Sequence, residues 1–392
     1  MKLSNENRQR SLECARGIAD WLCMVQAPFT DDFPPAGQFP WIVQPDGRQF
    51  PANNWNYAFA IMGLLHASKV FQQPRYEQAA LAMGGFLKGL QIFDPFHPED
   101  YGAIREVTPY TRWCYTRDAL SVAWSFIELY RHTRDSEYRE RARLWGEWFL
   151  RKGRDEEGWP CWGHLFEPLF EAAKVQMRND VQGSFQGGSL NYLYHMNKVT
   201  GDAKWIGAPF SAMADFLVTH IQQPSGFFTS IERATHRPPP TDPQNNLHRA
   251  NDDLGTLGLL AAHKVTGQRK YLASVERFLR AVFGGQLEDG RFEESVACIP
   301  VVLNVLLEGE EALPADLAPP EAREKALNAL LAAQSDGRFN PLMRGGILEN
   351  GSPHVAQVMQ KQSYVCARSS CYALIVLLKL ATGEREYLTT QG

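Results

Sequence analysis

The feature that most constrains this chain is a phrase that returns along it at a nearly fixed spacing. It reads His132-Thr133-Arg134-Asp135-Ser136-Glu137-Tyr138, then Val199-Thr200-Gly201-Asp202-Ala203-Lys204-Trp205, Val265-Thr266-Gly267-Gln268-Arg269-Lys270-Tyr271 and Ala381-Thr382-Gly383-Glu384-Arg385-Glu386-Tyr387, with Phe71-Gln72-Gln73-Pro74-Arg75-Tyr76 as a looser copy. The aromatic positions 76, 138, 205 and 271 lie 62, 67 and 66 residues apart, and the next copy is 116 further on, two steps of 58. The copy missing from that gap falls in the Pro-rich stretch Leu313 to Pro320, which reads as a diverged connector. Glycine ends a helix in the left-handed conformation and the polar residues after it start the next, so each copy predicts a tight turn between two helices. A repeat of this size means stacked helical units that bury a shared core.

A second signal lies between the turns. Gly37-Gln38-Phe39, Gly102-Ala103-Ile104, Gly158-Trp159, Gly226-Phe227-Phe228, Gly290-Arg291-Phe292 and Gly337-Arg338-Phe339 mark six longer loops. A largely apolar helix follows each, beginning near Trp55, Asp118, Gly188, Asp253, Val296 and Ser370. The helices between them, such as Arg139 to Lys152 and Leu272 to Phe283, carry one apolar stripe and read as outer helices. Consecutive antiparallel helices alternate ends, so the short turns are expected on one rim and the long loops on the other. The predicted fold is all-α: a single domain over residues 1–392, an (α/α)6 toroid of six helix pairs, with minor β-structure in the long loops. The periodicity also fits an open solenoid. Six pairs with an aromatic-rich polar rim favour closure.

Composition narrows the partners. With 21% charged residues and a net charge of -4, the chain has no basic field for a phosphate backbone, and no nucleic acid partner is expected. Its N-terminal stretch is polar where a signal peptide would be apolar, and no run of ~18 apolar residues follows. Cytoplasmic location without membrane contact is the expectation. Seven scattered cysteines fit a reducing compartment better than a disulfide framework. Cys161 and His164 have no second Cys/His cluster to complete a zinc site, so neither metal nor cofactor is expected.

The long loops carry more chemistry than connections require. The second holds Arg105, Glu106, Tyr110, Arg112, Trp113, Cys114, Tyr115, Arg117 and Asp118; the third, Trp159, Trp162, His164, Asp180, Gln182 and Gln186. The fourth ends in His248-Arg249-Ala250-Asn251-Asp252-Asp253, and the sixth contains Arg344 and Arg368. Tryptophan and tyrosine beside carboxylates suit a sugar, whose C–H face stacks on aromatics while its hydroxyls meet charged groups. Converging helix N-termini with Arg112, Arg117, Arg249, Arg344 and Arg368 favour an anionic one, such as a uronic acid. Trp113, Tyr115, Trp162, His164, Gln182 and His248 complete the expected binding set. Asp118, Asp180 and Asp253, at the starts of inner helices, are the candidate catalytic carboxyls, because a pair of carboxyls held in different protonation states is the minimum for acid/base work on a glycosidic bond. The plainer reading of each aspartate is an N-cap, and of each arginine a structural ion pair or a side chain stacked on a ring.

As a whole the chain resembles the (α/α)6-barrel carbohydrate enzymes, most of all the unsaturated glucuronyl hydrolases, on the repeated units of helix, Thr-Gly-Asp-like turn, aromatic and helix. The resemblance implies two aspartates one repeat apart, one protonating the double bond of an unsaturated uronic acid. Arg117-Asp118-Ala119-Leu120 and Asp180, 62 residues apart, match that arrangement by position. Asp252-Asp253-Leu254-Gly255 is similar to the family's His-Asp-Leu-Gly phrase, with Asp252 in place of the histidine and two units later along the chain. The function so implied is a glycoside hydrolase acting with paired aspartates on an oligosaccharide containing a uronic acid. A polysaccharide lyase or sugar epimerase on the same toroid, using Tyr110, Tyr115, His164, His236 or His248 as base, stays open, as does a non-catalytic scaffold. Lanthionine-forming cyclases need an adjacent Cys-His pair that this sequence lacks, and the rim is too charged for a terpenoid cyclase.

Overall fold

A computed structural model describes residues 3–26, 37–166, 180–238, 253–292, 295–349 and 363–384. Twelve α-helices lie in these segments: α1 (Asn5–Val25), α2 (Asn54–Phe71), α3 (Pro74–Lys88), α4 (Thr116–Thr133), α5 (Ser136–Lys152), α6 (Gly188–Thr200), α7 (Ala208–Phe216), α8 (Asp253–Thr266), α9 (Arg269–Gly284), α10 (Cys298–Gly309), α11 (Pro320–Ala332) and α12 (Ala367–Thr382). Inner and outer helices differ as their sequences predict. Every residue of α4 from Asp118 to Leu129 and of α12 from Ser369 to Ala381 is buried. By contrast α5 buries one stripe, Tyr138, Ala142, Trp145, Gly146, Trp148 and Phe149, and leaves Arg139 and Glu140 in solvent. A helix buried all round needs apolar residues all round; one packed on a single side needs only the stripe.

The repeated phrase is the turn it was expected to be. Gln72, Arg134, Gly201, Gly267 and Gly383 all take positive φ, between 52° and 82°. In four copies the preceding threonine works in both directions. The hydroxyls of Thr133, Thr200, Thr266 and Thr382 donate to the carbonyls of Leu129, Met196, Ala262 and Leu378 at 2.7–2.8 Å. They accept in turn from the amides of Asp135, Asp202, Gln268 and Glu384. Each threonine thereby ties the ending helix to the turn.

A second repeated device fixes the long loops, and it rests on glutamines. Gln91 Nε2 donates to Gly102 O (3.0 Å) and Arg141 O (2.9 Å), tying its loop to the next outer helix. Gln222 does the same to Gly226 and Ser274, Gln286 to Gly290 and Ala322, Gln26 to Gly37 and Ala79, and Gln334 to Gly345 and Cys14. The glycines hold φ near +92°, and at Gly102 a β-carbon would come within 2.5 Å of Leu144 O. The third loop departs from this: Arg154 stands where the glutamine would be and donates to Leu150 O. In the sixth loop the tied glycine is Gly345 rather than the expected Gly337, because Gln334 reaches eleven residues ahead, as Gln91 does.

Two compact units build the chain: residues 1–86 with 279–392, and residues 87–278. In the first, β1 (Pro40–Val43), β2 (Gln49–Pro51), β7 (Leu348–Glu349) and β8 (Tyr364–Cys366) form a sheet in the order β2-β1-β8-β7, stitching the loop before α2 to the loop before α12. Gly63 of α2 lies against Leu374 of α12, and Gln334 reaches Cys14 of α1. The first and last helix pairs therefore touch, which the ends of an open solenoid do not. In the second unit, β3 (Trp113–Tyr115) pairs with β4 (Gly163–Leu165), and β5 (Val181–Gln182) with β6 (Ile231–Glu232), joining the loops before α4, α6 and α8. Glycines let α6 pack closely between α4 and α8: a β-carbon on Gly188 would meet Leu120 at 3.2 Å and Leu254 at 3.1 Å.

Candidate active site

In the second unit the β3–α4 junction gathers the densest set of expected residues. Strand β3 pairs antiparallel with β4, setting Cys114 opposite His164 and Tyr115 opposite Gly163, and the chain turns directly into α4 at Thr116, whose amide donates to Trp162 O at 3.0 Å. Behind the strand lies Glu106, wholly buried; its amide donates to Trp113 O at 3.1 Å and its Oε2 accepts from the amide of Tyr115 at 3.0 Å. Asp118, 6% exposed, shares a side-chain hydrogen bond with Glu106. Arg117 Nη1 donates to Asp118 Oδ1 at 3.1 Å. Burial pushes the Glu106 carboxyl far above the ordinary glutamate range, and the nearby charge of Asp118 pushes it further. Both causes favour the protonated form of the Glu106 carboxyl. The plain capping role does not describe Asp118, because the N-cap of α4 is Tyr115, and the aspartate sits inside the first turn facing Glu106 and Arg117.

The surrounding residues divide. Trp113 and Tyr115, both half-buried, meet edge to face at 5.1 Å, and Trp162 lies over Gly183, where a β-carbon would come within 2.8 Å of its ring. Gln182 is buried and donates from Nε2 to Asp155 Oδ2 and Glu157 Oε2, each at 2.8 Å. Among the described residues its Oε1 has no partner, and neither do Gln186 Oε1 and Thr116 Oγ1. His164 packs edge-on against Trp148 at 4.8 Å, and burial followed by the Lys152 charge lowers its pKa to about 4. It is a neutral ring at physiological pH. Arg112 is exposed.

Asp180 does not open a helix as expected. It stands exposed ahead of β5, and α6 begins only at Gly188, after a 3-10 turn over Ser184–Gly187. The carboxyl hydrogen-bonded to Asp118 is Glu106. Asp253 is the first residue of α8, whereas His248 and Arg249 lie outside the described residues. Arg344, exposed, and Arg368 belong to the first unit. Glu106 and the glutamine ties are the features sequence reasoning missed. Glu106 stood in the loop inventory with no role, and its one signal was an acid eleven residues before Arg117 in a loop rich in aromatics.

Among the described residues, no group of three or more His, Cys, Asp or Glu side chains is arranged to hold a metal ion, and no helix is long and apolar enough to cross a membrane. No protein-family profile matches the sequence, and no curated protein matches it. Solved structures do. An unsaturated glucuronyl hydrolase from Bacillus sp. GL1, responsible for the degradation of glycosaminoglycan, superposes with a TM-score of 0.70 at 16% identity over 98% of this chain and 100% of its own. The cellobiose 2-epimerase from Bacillus thermoamylovorans B4167 gives 0.70 at 15% identity over 95% and 98%. The α-1,6-mannanase from Salegentibacter sp. HEL1_6 gives 0.61 at 13% over 95% and 100%. Likeness over essentially the whole length of each partner fixes the architecture: the chain has the (α/α)6 toroid fold of these carbohydrate-active enzymes.

Proposed function

We propose that the chain is a carbohydrate-active enzyme, a glycoside hydrolase acting on an oligosaccharide that contains a uronic acid, with Asp118 as the group that transfers the proton. The observation that carries this reading is the buried Glu106–Asp118–Arg117 cluster at the head of an inner helix. A carboxyl in contact with a second buried carboxyl and flanked by a guanidinium is placed for general acid/base work. Asp180 is the second carboxylate of the reading, and its exposure suits a group that must meet water. Asp253 is the alternative partner. Trp113, Tyr115 and Trp162 supply ring faces for a sugar. Thr116 Oγ1, Gln182 Oε1 and Gln186 Oε1, buried and unpaired among the described residues, are positions where hydroxyl groups would be recognised. The expected anionic character of the ligand draws on Arg112, Arg117 and, in the loop outside the described residues, His248 and Arg249.

A panel of an unsaturated uronide disaccharide, an α-1,6-linked mannobiose and cellobiose tests the reading. Turnover of the uronide, followed by loss of its double-bond absorbance and abolished in Asp118→Asn, supports it. Turnover of cellobiose without bond cleavage would move the assignment to an epimerase, whose fold the chain equally shares. A protein inert on all three overturns the hydrolase.

A further inference from the structure

The first unit holds a second buried glutamate in the register of Glu106, and it separates what the scaffold needs from what the site needs. Glu349 lies two residues beyond Ile347, as Glu106 lies two beyond Ile104, and both isoleucines form the same isolated bridge, to Gln334 and Gln91. Around Glu349 stand the hydroxyls of Ser369, Ser295 and Tyr364, the last two at 3.4 Å, and the opposite charge of Arg368. Hydroxyls and a guanidinium satisfy a carboxylate as it is. Around Glu106 the set differs. Its Oε2 accepts from the Tyr115 amide at 3.0 Å, the Cys114 thiol reaches it from β3, and the partner from α4 is another carboxyl, Asp118.

An ionised carboxyl only accepts hydrogen bonds, so a bond between two carboxyls contains one proton. Arg117 Nη1, 3.1 Å from Asp118 Oδ1, sets its positive charge on the aspartate, while the glutamate is the member wholly cut off from water. We propose that Glu106 is a positioning residue for Asp118: its carboxyl gives the O–H of that bond, and between Glu106 and Arg117 the aspartate is held in one orientation for proton transfer with the substrate. Wholly buried, Glu106 itself touches no substrate. The charged and titratable groups around the pair are Arg117 from α4 and Tyr115 and Cys114 from β3. Ionising Glu106 removes the bond and sets a second negative charge against Asp118, so activity is lost as pH rises through the folded value of Glu106. The reaction served rests on the function proposed above; the hydrogen-bonded pair does not.

Infrared difference spectroscopy of the full chain reads the pair without any substrate. Wild type minus Glu106→Gln at neutral pH is expected to show the C=O stretch of a protonated carboxyl. Repeating the subtraction in an Asp118→Asn background should shift that band, and in a Glu349→Gln background leave it in place. Kinetics on whichever sugar of the panel is turned over give the second reading. Glu106→Met, of similar length without a donor, is expected to lower kcat by about 10–100-fold with little change in KM, the loss of a hydrogen bond to a charged group. Glu106→Gln, whose amide replaces the O–H donor, should lose less and should lack the alkaline limb of the wild-type pH profile; Glu349→Gln should keep that limb. A band that shifts with Asp118→Asn in a protein inert on the uronide supports the pair while the uronide reading fails. No protonated carboxyl at Glu106, a band indifferent to Asp118→Asn, or an alkaline limb that survives in Glu106→Gln overturns the proposal. A Glu106→Gln variant as inactive as Asp118→Asn overturns it too, because Glu106 would then transfer the proton itself.

Discussion

Glu106 and Glu349 stand in one register of two different helix pairs. Each is held behind a short strand, each is followed by an arginine at the second position of an inner helix, and burial raises the carboxyl of each. In the loop before α4 the third helical residue is Asp118, and the arginine closes onto it. In the loop before α12 it is Ser369, the opposite charge acting on the arginine is Glu349 itself, and the serine hydroxyl also goes to that glutamate. The same scaffold thus yields a carboxyl pair in one place and a lone glutamate set against an arginine in the other. What the difference teaches is that the framework fixes position and burial, while one side chain decides whether a second carboxyl joins the buried glutamate.

The comparison can be broken most sharply at its variable position. Asp118→Asn or Asp118→Ser is expected to lower turnover on the accepted substrate by ~10²–10⁴-fold with little change in melting temperature, since general acid/base work contributes about that much. Ser369→Ala in the other site should leave turnover within a few-fold. Equal losses at both positions, read from steady-state kinetics, would erase the functional distinction.

The shared scaffold should respond alike in both places. Gly102→Ala and Gly345→Ala each force a β-carbon into backbone, at 2.5 Å from Leu144 O and 2.3 Å from Gly17 O, at φ of +93° and +92°. Each is expected to destabilise by more than Gly201→Ala, which meets nothing within 4 Å and bears only the left-handed strain of ~1–2 kcal/mol. Denaturant melts of the three variants check the ranking.

Removing the ties is milder. Gln91→Ala and Gln334→Ala each leave two carbonyls without their donor, an expected loss of ~1–3 kcal/mol, similar in the two loops. A destabilised Gln334→Ala beside an unaffected Gln91→Ala would mean that the tie matters only where the first and last helix pairs meet.

The smallest effect is in pH. A glutamate whose folded pKa is raised binds its proton more tightly folded than unfolded, so stability falls as pH rises from the ordinary glutamate value through the folded one. Glu106→Gln and Glu349→Gln should each flatten that decline, by ~1.4 kcal/mol for every unit of displacement. Melting temperature against pH shows whether one site carries the slope or both do.

Much of the architecture was legible because it is local and periodic. A Thr-Gly turn needs only its own residues to cap a helix, so Gly201, Gly267 and Gly383 announced the helix ends, and the copies at Gln72 and Arg134 were found through their neighbours. The closed register of the sixth loop was not legible: Gly337 resembles the other loop glycines in its neighbours, yet the tie goes to Gly345, a choice made by Cys14, some 320 residues away. Asp118 was readable as a candidate because it lies in the first turn of an apolar helix beside Arg117. Glu106 was not, because nothing in a loop glutamate says that it will be buried.

By itself the sequence determined the number of helix pairs, which helices are inner, and which loops carry aromatic and charged side chains, since periodicity and turn chemistry act within a few residues. Only the tertiary structure decided that Asp118 answers to Glu106 while Asp180 stands in solvent, and that Arg368 is set against Glu349. Those outcomes depend on which atoms lose water and which charges end up beside them, and both are set by strands and helices meeting from distant parts of the chain.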